Sequence, residues 1–555
     1  MSTGETRMSS DNMRVIVIGL DGATFDLILP WTKEGYLPAF KKLMEHGSWG
    51  ELESTMPPLT GPAWSSFMTG KNPGKHGIFD FMCRDPKGYD WITINATQRK
   101  GPSFWRLLSD TGRRVIVFNV PVTYPPEEVN GVMISGYLTP PKAKDFVFPP
   151  TLKKDLEGQI GLDSTFFPGA TYSAGREEKF IQAVDEMTDR TIRVMDFLMG
   201  RFPWDCFVGV FQTPDLLQHC LWKEIDHPVF GKAFLDQYQK IDQYLGTLLS
   251  SLDDRTLLMI ISDHGFGDLK KQIFLNTWLL SKGFLKLKPT LTGKMKEAIF
   301  RLGIVPMKIH QLSLRLGMDL SNELMENRES LFSFLANIVL SFKDVDWERT
   351  RAYAMGNMGY ICINLQGREP NGCVKPGEDY HATMREITEA LYDLKDPETG
   401  EAIIDRVFFK KDIFSGPYLS DAPDLFPVPH EFRYHLRGDN VFHSNHWIEK
   451  FWLISGFHRA KGIFLAIGKN VKKGQKLDGQ KIIDIAPTIL TFMGVPMPSD
   501  LDGQHLSGLF EEEFSKTIVP FLYQPAEEPK PEERTLSSDE QAEIRKKLKS
   551  LGYIS

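Results

Sequence analysis

The chain has few of the features that mark several protein classes. Its five cysteines, Cys83, Cys206, Cys220, Cys362 and Cys373, include no Cys-x-x-Cys pair. Neither a disulfide framework nor a structural zinc knuckle is indicated, and each thiol reads as a small buried apolar group. Basic residues are not in excess: 65 Lys and Arg stand against 72 Asp and Glu, a formal net charge of −7. That balance, without a dominant basic stripe, excludes the electrostatic footprint of a nucleic-acid binder. No apolar run is long enough to cross a bilayer, and the leading MSTGETRMSSDNMR lacks the apolar core of a signal peptide. The expectation is a cytoplasmic protein. No internal repeat is present.

What is present is ordinary globular composition, 41% hydrophobic and 25% charged over 555 residues. The length permits three or four domains, or one large α/β domain with insertions. Strand-like runs end abruptly at polar residues: VIVIGL before Asp21, RVIVFNV before Pro121, CFVGVFQT before Pro214 and LLMIIS before Asp263. Helix-length amphipathic segments, such as 177–200 and 228–252, lie between them. This alternation predicts a doubly wound α/β sandwich with a mainly parallel central sheet, its buried strands written as continuous apolar runs. Residues 13–285 and 346–510 are assigned to it. Residues 286–345 are apolar at helical spacing, interrupted at Pro306, and read as a helical insertion that serves as a lid or a partner surface. Residues 521–555 read as a charged, Pro-containing linker followed by a C-terminal helix.

Three strand-like runs lead into carboxylates: Asp21, Asp215 and Asp263. In open parallel sheets the ligand crevice lies beyond the carboxyl ends of the strands, so the three are expected to converge. An Asp there ordinarily forms a turn or caps the next helix. Two of these have histidine companions, however. TPDLLQHC sets His219 one helical turn after Asp215, on the same face, and SDHGFG sets His264 beside Asp263 on a Gly-rich turn. Carboxylate oxygen with imidazole nitrogen suits zinc, and also manganese or iron. Thr60, in MPPLTGPAW, falls where a Pro-rich loop becomes a helix and is either a cap or a reacting group. His76 reads as a structural hydrogen-bonding residue. His443 and His446, in FHSNHW, have ligand-like spacing and compete for a place in any metal site.

Taken together, IGLDGATFD, TGPAWSSFMTGKNPGKHGIFDF, TPDLLQHC, SDHGFG, SGFHRAKGIFLAIG and IIDIAPTILTFMGVPMPSDLDGQHL resemble the alkaline phosphatase superfamily. The branch they resemble is type I phosphodiesterase/nucleotide pyrophosphatase, with ordered coverage from about residue 14 to 508. The resemblance implies two divalent metal ions, zinc first among the candidates. One is assigned to Asp215, His219 and His458, the other to Asp21, Asp263 and His264 with the Thr60 oxygen as a further ligand. It also implies that Thr60 is the nucleophile of a phosphothreonine intermediate, in a phosphodiesterase or nucleotide pyrophosphatase acting on a small-molecule phosphoester. One position departs: relatives with nucleotide substrates carry an asparagine three residues after the nucleophile, and here that residue is Ala63. The alternatives are a phosphomonoesterase, a phosphoglycerate mutase-like enzyme of the same superfamily, or a noncatalytic metal-binding scaffold. A sulfatase is excluded, because TGPAW lacks the Cys/Ser-x-Pro-x-Arg context.

Overall fold

The computed structural model describes residues 13–85, 87–161, 172, 175–315, 338–451, 454–525, 534 and 536–550. Its central sheet is built from β1 (Arg14–Leu20), β2 (Ser48–Glu53), β3 (Val115–Phe118), β4 (Gly131–Ile134), β5 (Val147–Phe148), β6 (Cys206–Phe211), β7 (Thr256–Ile261), β8 (Lys461–Ile467), β9 (Gln475–Lys476) and β10 (Gln480–Lys481). The strand order is β9-β2-β8-β7-β1-β6-β3-β4-β5, with β10 also on β2. The run from β7 through β4 is parallel, while β8 is antiparallel to both β7 and β2. Side chains alternate across it. Ile16, Ile18 and Leu20 pack into one hydrophobic layer, and Val15 and Val17 into another on the opposite face. Both faces are thus covered, and VIVIGL is apolar throughout because neither side of β1 meets water.

The register decides where the site forms. Leu20 is level with Phe211 of β6, and Gly19 with Ile261 of β7. The three chains therefore leave the sheet side by side, carrying Asp21, Asp215 and Asp263 to one edge.

The strand expected at YICINLQ forms as Tyr360–Ile363, but it pairs in a separate four-stranded sheet with Ala352–Met355, Leu425–Pro429 and Ile404–Phe409, all antiparallel. Between residues 346 and 510 the central sheet is rejoined only from Lys461 onward. An apolar strand carries no label for its partner, so sequence alone left this pairing open. Within 286–345, helices form at Leu291–Arg301 and Pro306–Arg315; residues 316–337 lie outside the described ones. The C-terminal helix forms at Ser538–Ser550 and docks on the body: Leu536, Ile544 and Leu548 are buried, and Glu543 pairs with Lys142 at 2.6 Å.

Candidate metal centre

Helix α1 (Thr60–Thr69) starts at Thr60, with Leu59 as its N-cap and no side-chain cap hydrogen bond. Thr60 is therefore not the cap. Its Oγ1 instead lies 3.2 Å from His264 Nε2. Helix α2 (Thr213–Leu221) carries Asp215 in its first turn and His219 one turn on. His264 follows β7 at the start of a short strand, Gly265–Asp268, which pairs antiparallel with Gly456–Arg459 so that Phe266 opposes His458. This ribbon delivers His458 to the sheet edge.

The seven residues, Asp21, Thr60, Asp215, His219, Asp263, His264 and His458, are each 3% exposed or less. They sit at the carboxyl edge of the sheet yet away from solvent, with the Phe266 and Phe457 rings 4.8 and 5.8 Å from the His219 ring.

All three histidines have Nδ1 against a backbone carbonyl: His219 to Gly456 at 3.1 Å, His264 to Gly265 at 3.1 Å and His458 to Pro58 at 2.9 Å. A carbonyl only accepts, so in each neutral ring Nδ1 carries the proton and Nε2 presents a lone pair to the centre. The Nε2 atoms of His219 and His458 are 2.9 Å apart, and Asp215 Oδ1 is 3.3 Å from the first and 3.4 Å from the second. On the other side, His264 Nε2 lies 3.5 Å from Asp21 Oδ1, 3.3 Å from Asp263 Oδ2 and 3.2 Å from the Thr60 hydroxyl. Ligand atoms of a zinc tetrahedron bonded at about 2.0–2.1 Å are roughly 3.3–3.4 Å apart. These spacings fit such edges. His264 also stacks on His458 with ring centroids 3.6 Å apart, and one atom each of Asp215, His264 and His458 lie within 4.8 Å of one another.

Electrostatics lead to the same reading. Burial, then the Asp263 and Asp215 carboxylates, push the Asp21 carboxyl well up. Burial and Asp215 push Asp263 up to about 8. For Asp215 burial is outweighed by His219 and His458, which hold it well below the usual range. Burial and the neighbouring His458 hold His264 far down, and burial lowers His458. Asp21 Oδ1 and Asp263 Oδ2 are buried and accept no hydrogen bond. Buried carboxylate oxygens without donors, facing imidazole lone pairs, cost several kcal/mol unless the carboxyls take up protons or a cation sits among them. The donor set fits divalent metal ions.

A consequence is measurable. Below about pH 8 the raised Asp263 carboxyl holds a proton that a cation must displace, so apparent metal affinity rises with pH through that value. Titrating metal-free protein with zinc in weak buffer near pH 6.5 is expected to release about one proton per chain from Asp263. Release of none would show that Asp21 and Asp263 are ionised without a cation.

Supporting residues outside the expected set are also visible. Trp64 Nε1 donates to Asp21 Oδ2 at 3.3 Å, and the Gly22 amide to Asp263 Oδ1 at 3.3 Å. Gly22 has φ +70, and a Cβ there would meet Phe266 at 3.0 Å and the Asp215 backbone at 3.2 Å, so only glycine serves. Tyr137 is buried close enough to Asp215 and Asp21 that burial first, and then their charges, push its phenol up. Its loop carried no signal in the sequence. His76 is structural as expected: Nε2 meets Ser66 Oγ at 3.0 Å, Nδ1 accepts from Ile78, and burial lowers it to about 3. His443 and His446 join neither acidic–histidine group among the described residues.

A family model for type I phosphodiesterase/nucleotide pyrophosphatase matches residues 15–432. The chain belongs to this family. Among curated proteins, ectonucleotide pyrophosphatase/phosphodiesterase family member 1 of Rattus norvegicus is 23% identical over 276 residues, 48% of this chain and 25% of the relative; the Mus musculus protein is 22% identical over 291 residues, 50% and 27%. The chain spans about a quarter of the length of these relatives. Phosphonoacetate hydrolase from Sinorhizobium meliloti 1021, solved with phosphonoformate, has a TM-score of 0.52 at 14% identity, covering 87% of this chain and 96% of its own, and so shares the fold. Human ectonucleotide pyrophosphatase/phosphodiesterase 5 gives a TM-score of 0.48 at 14% identity, over 90% of this chain and 100% of that one. The phosphodiesterase model ends at Phe432, before His458, so it is the ribbon pairing that supports including His458 in the centre.

Proposed function

We propose that the protein is a metal-dependent hydrolase of phosphodiesters or phosphoanhydrides in which Thr60 is the nucleophile. The observation that carries this is the Thr60 hydroxyl 3.2 Å from His264 Nε2, beside two groups of carboxylate and imidazole side chains whose ligand-type atoms converge. Asp215, His219 and His458 would hold one divalent cation, and Asp21, Asp263 and His264 the other. Bound there, the cations would acidify the Thr60 hydroxyl and offset charge on the phosphoryl and leaving oxygens. Thr60 Oγ1 attacks phosphorus, its bond to phosphorus forms as the bond to the leaving alcohol breaks, and water then releases the phosphothreonine. The first-turn amides of α1 lack intrahelical acceptors and favour an anionic phosphoryl group at Thr60. Pro58 and Gly456 orient His458 and His219 through their carbonyls, and Trp64 fixes Asp21.

The names of the curated relatives point to nucleotide diphosphate or diester substrates. Ala63 tempers this, because it is fully buried in the apolar layer under β1 and offers no phosphate donor. The substrate class proposed is therefore a diester whose second ester group meets an apolar wall.

That reading separates the diesterase from a monoesterase. A monoester brings a dianionic phosphoryl group, and no cation stands near Thr60 in the chain: Leu59, Ala63 and Trp64 are apolar and buried. Lys71 is committed to Asp500 at 2.8 Å, and Arg459 turns to Asp268 and to the Phe432 carbonyl. Bis-p-nitrophenyl phosphate is expected to be hydrolysed with a kcat/KM at least about tenfold above that of p-nitrophenyl phosphate, an energetic difference near 1.4 kcal/mol. A preference for the monoester in the same metal-loaded preparation would overturn the diesterase reading, and no turnover of either would favour a scaffold.

A further inference from the structure

The helical insertion presents an apolar stripe to solvent. In the helix Leu291–Arg301, the residues Leu291, Met295 and Ala298, with Leu302 just beyond, are spaced by four, three and four and share one face. The opposite face is the one that docks: Gly293 and Phe300 are buried, and the Phe300 ring lies edge-on to Phe442 at 5.9 Å. The stripe is open, with Leu291 89%, Met295 53% and Leu302 79% exposed, and Ile304 and Leu312, which follow it in the chain, are 51% and 57% exposed. Among the described residues, five of the exposed large hydrophobic side chains fall in this one stretch. Single exposed leucines need no explanation, but a contiguous helical stripe does.

The charge around the stripe identifies what would cover it. From Lys282 to Arg315 there are eight Lys and Arg and one acidic residue, Glu297, in a chain whose overall charge is −7. Lys296 pairs with Asp344 and Arg301 with Glu297, whereas Lys282, Lys286 and Lys294 are exposed and make no ion pair among the described residues. The apolar side chains are aliphatic, and the cations are mostly lysine. Protein interfaces are enriched in aromatic residues and arginine and depleted in lysine, the reverse of this composition. A helix with leucine and methionine on one face and lysines along its flank suits the boundary between acyl chains and anionic headgroups, where lysine stems lie along the apolar surface and their amines reach phosphate.

We propose that the face formed by Leu291, Met295 and Leu302, with the exposed Lys286 and Lys294 close to it in the chain, docks the protein on the surface of a bilayer containing anionic phospholipid. No part of the chain need cross the bilayer, and none of the described helices is long and apolar enough to do so. The docking is independent of what the metal centre hydrolyses.

The test is co-sedimentation of the full-length protein with vesicles of phosphatidylcholine alone and of phosphatidylcholine with phosphatidylserine. Three forms are compared: wild type, the triple variant Leu291→Ser, Met295→Ser, Leu302→Ser, and the double variant Lys286→Gln, Lys294→Gln. All five side chains are exposed, so thermal melting and turnover of a soluble diester should match wild type in both variants. Wild type is expected to bind the phosphatidylserine vesicles, to bind phosphatidylcholine far less, and to dissociate as salt is raised. The triple variant should lose binding, and the double variant should weaken it about fivefold per lysine. Failure of the wild type to bind either vesicle overturns the proposal, as does binding that the triple serine variant retains. Wild-type self-association that the triple variant abolishes, without vesicle binding, would assign the face to a second copy of the chain. Capture by an acidic polypeptide such as polyglutamate, again without vesicle binding, would assign it to a protein partner.

Discussion

Thr60→Ala is expected to keep its metal and lose hydrolysis of bis-p-nitrophenyl phosphate by about 10⁴-fold or more in kcat, the scale seen when a nucleophile is removed. Thr60→Ser should retain a measurable part, since it keeps the oxygen and drops a methyl. The structure sharpens this expectation. Had Thr60 been a helix cap, its loss would cost about 1 kcal/mol of stability and little activity. Leu59 is the N-cap and Thr60 makes no cap hydrogen bond, so its hydroxyl has no role in holding α1. What the hydroxyl does touch is His264 Nε2, at 3.2 Å. The Ala variant should therefore melt close to wild type while being inactive. Steady-state kinetics beside elemental analysis check both halves, and an Ala variant with near-wild-type turnover would remove Thr60 from the chemistry.

Asp263→Asn should produce two effects of opposite sign. Metal content is expected to fall from close to two ions per chain to one, with turnover reduced by about 10³-fold or more, because a neutral amide is a poor ligand for a hard dication. The metal-free variant, by contrast, should be more stable than metal-free wild type above neutral pH. In wild type the Asp263 carboxyl is raised from an ordinary 3.8 to about 8, by burial and by Asp215. The folded state thus binds a proton that the unfolded state has released. Stability from this group is fully present below about pH 4 and is lost as pH rises through about 8. The asparagine amide of the variant cannot ionise, and its carbonyl can still accept from the Gly22 amide as Asp263 Oδ1 does at 3.3 Å. The difference in melting temperature between the two metal-free proteins should be near zero at low pH and reach its maximum above about pH 8. Melting curves across pH, with and without chelator, read this directly. A variant less stable than wild type at high pH, without metal, would show that Asp263 is not held ionised against its neighbours.

Much of this arrangement was already legible in the sequence. The runs VIVIGL, CFVGVF and LLMII are apolar on both faces, which only a covered parallel strand requires, and each gives way to polar residues where the sheet ends. That placed Asp21, Asp215 and Asp263 at one edge, and the observed register puts Leu20 level with Phe211 and Gly19 with Ile261. The i, i+4 spacing of Asp215 and His219 is local geometry, and their side chains meet at 3.3 Å. Charge, cysteine count and the absence of long apolar runs likewise follow from composition.

Other features depended on the folded chain. His458 is far from the other candidate ligands in sequence, and what brings it in is the pairing of Phe266 with His458 across two short strands, a contact no local pattern encodes. The burial of all seven candidate site residues, which with Asp215 raises Asp263, is equally a tertiary event. So is the tautomer of each histidine, set by the carbonyls of Pro58, Gly456 and Gly265. The physical division is one of range. Hydrophobic periodicity and strand-end chemistry act over a few residues and are written in order along the chain, whereas strand partnership, burial and hydrogen-bond direction arise only when distant segments displace water from one another.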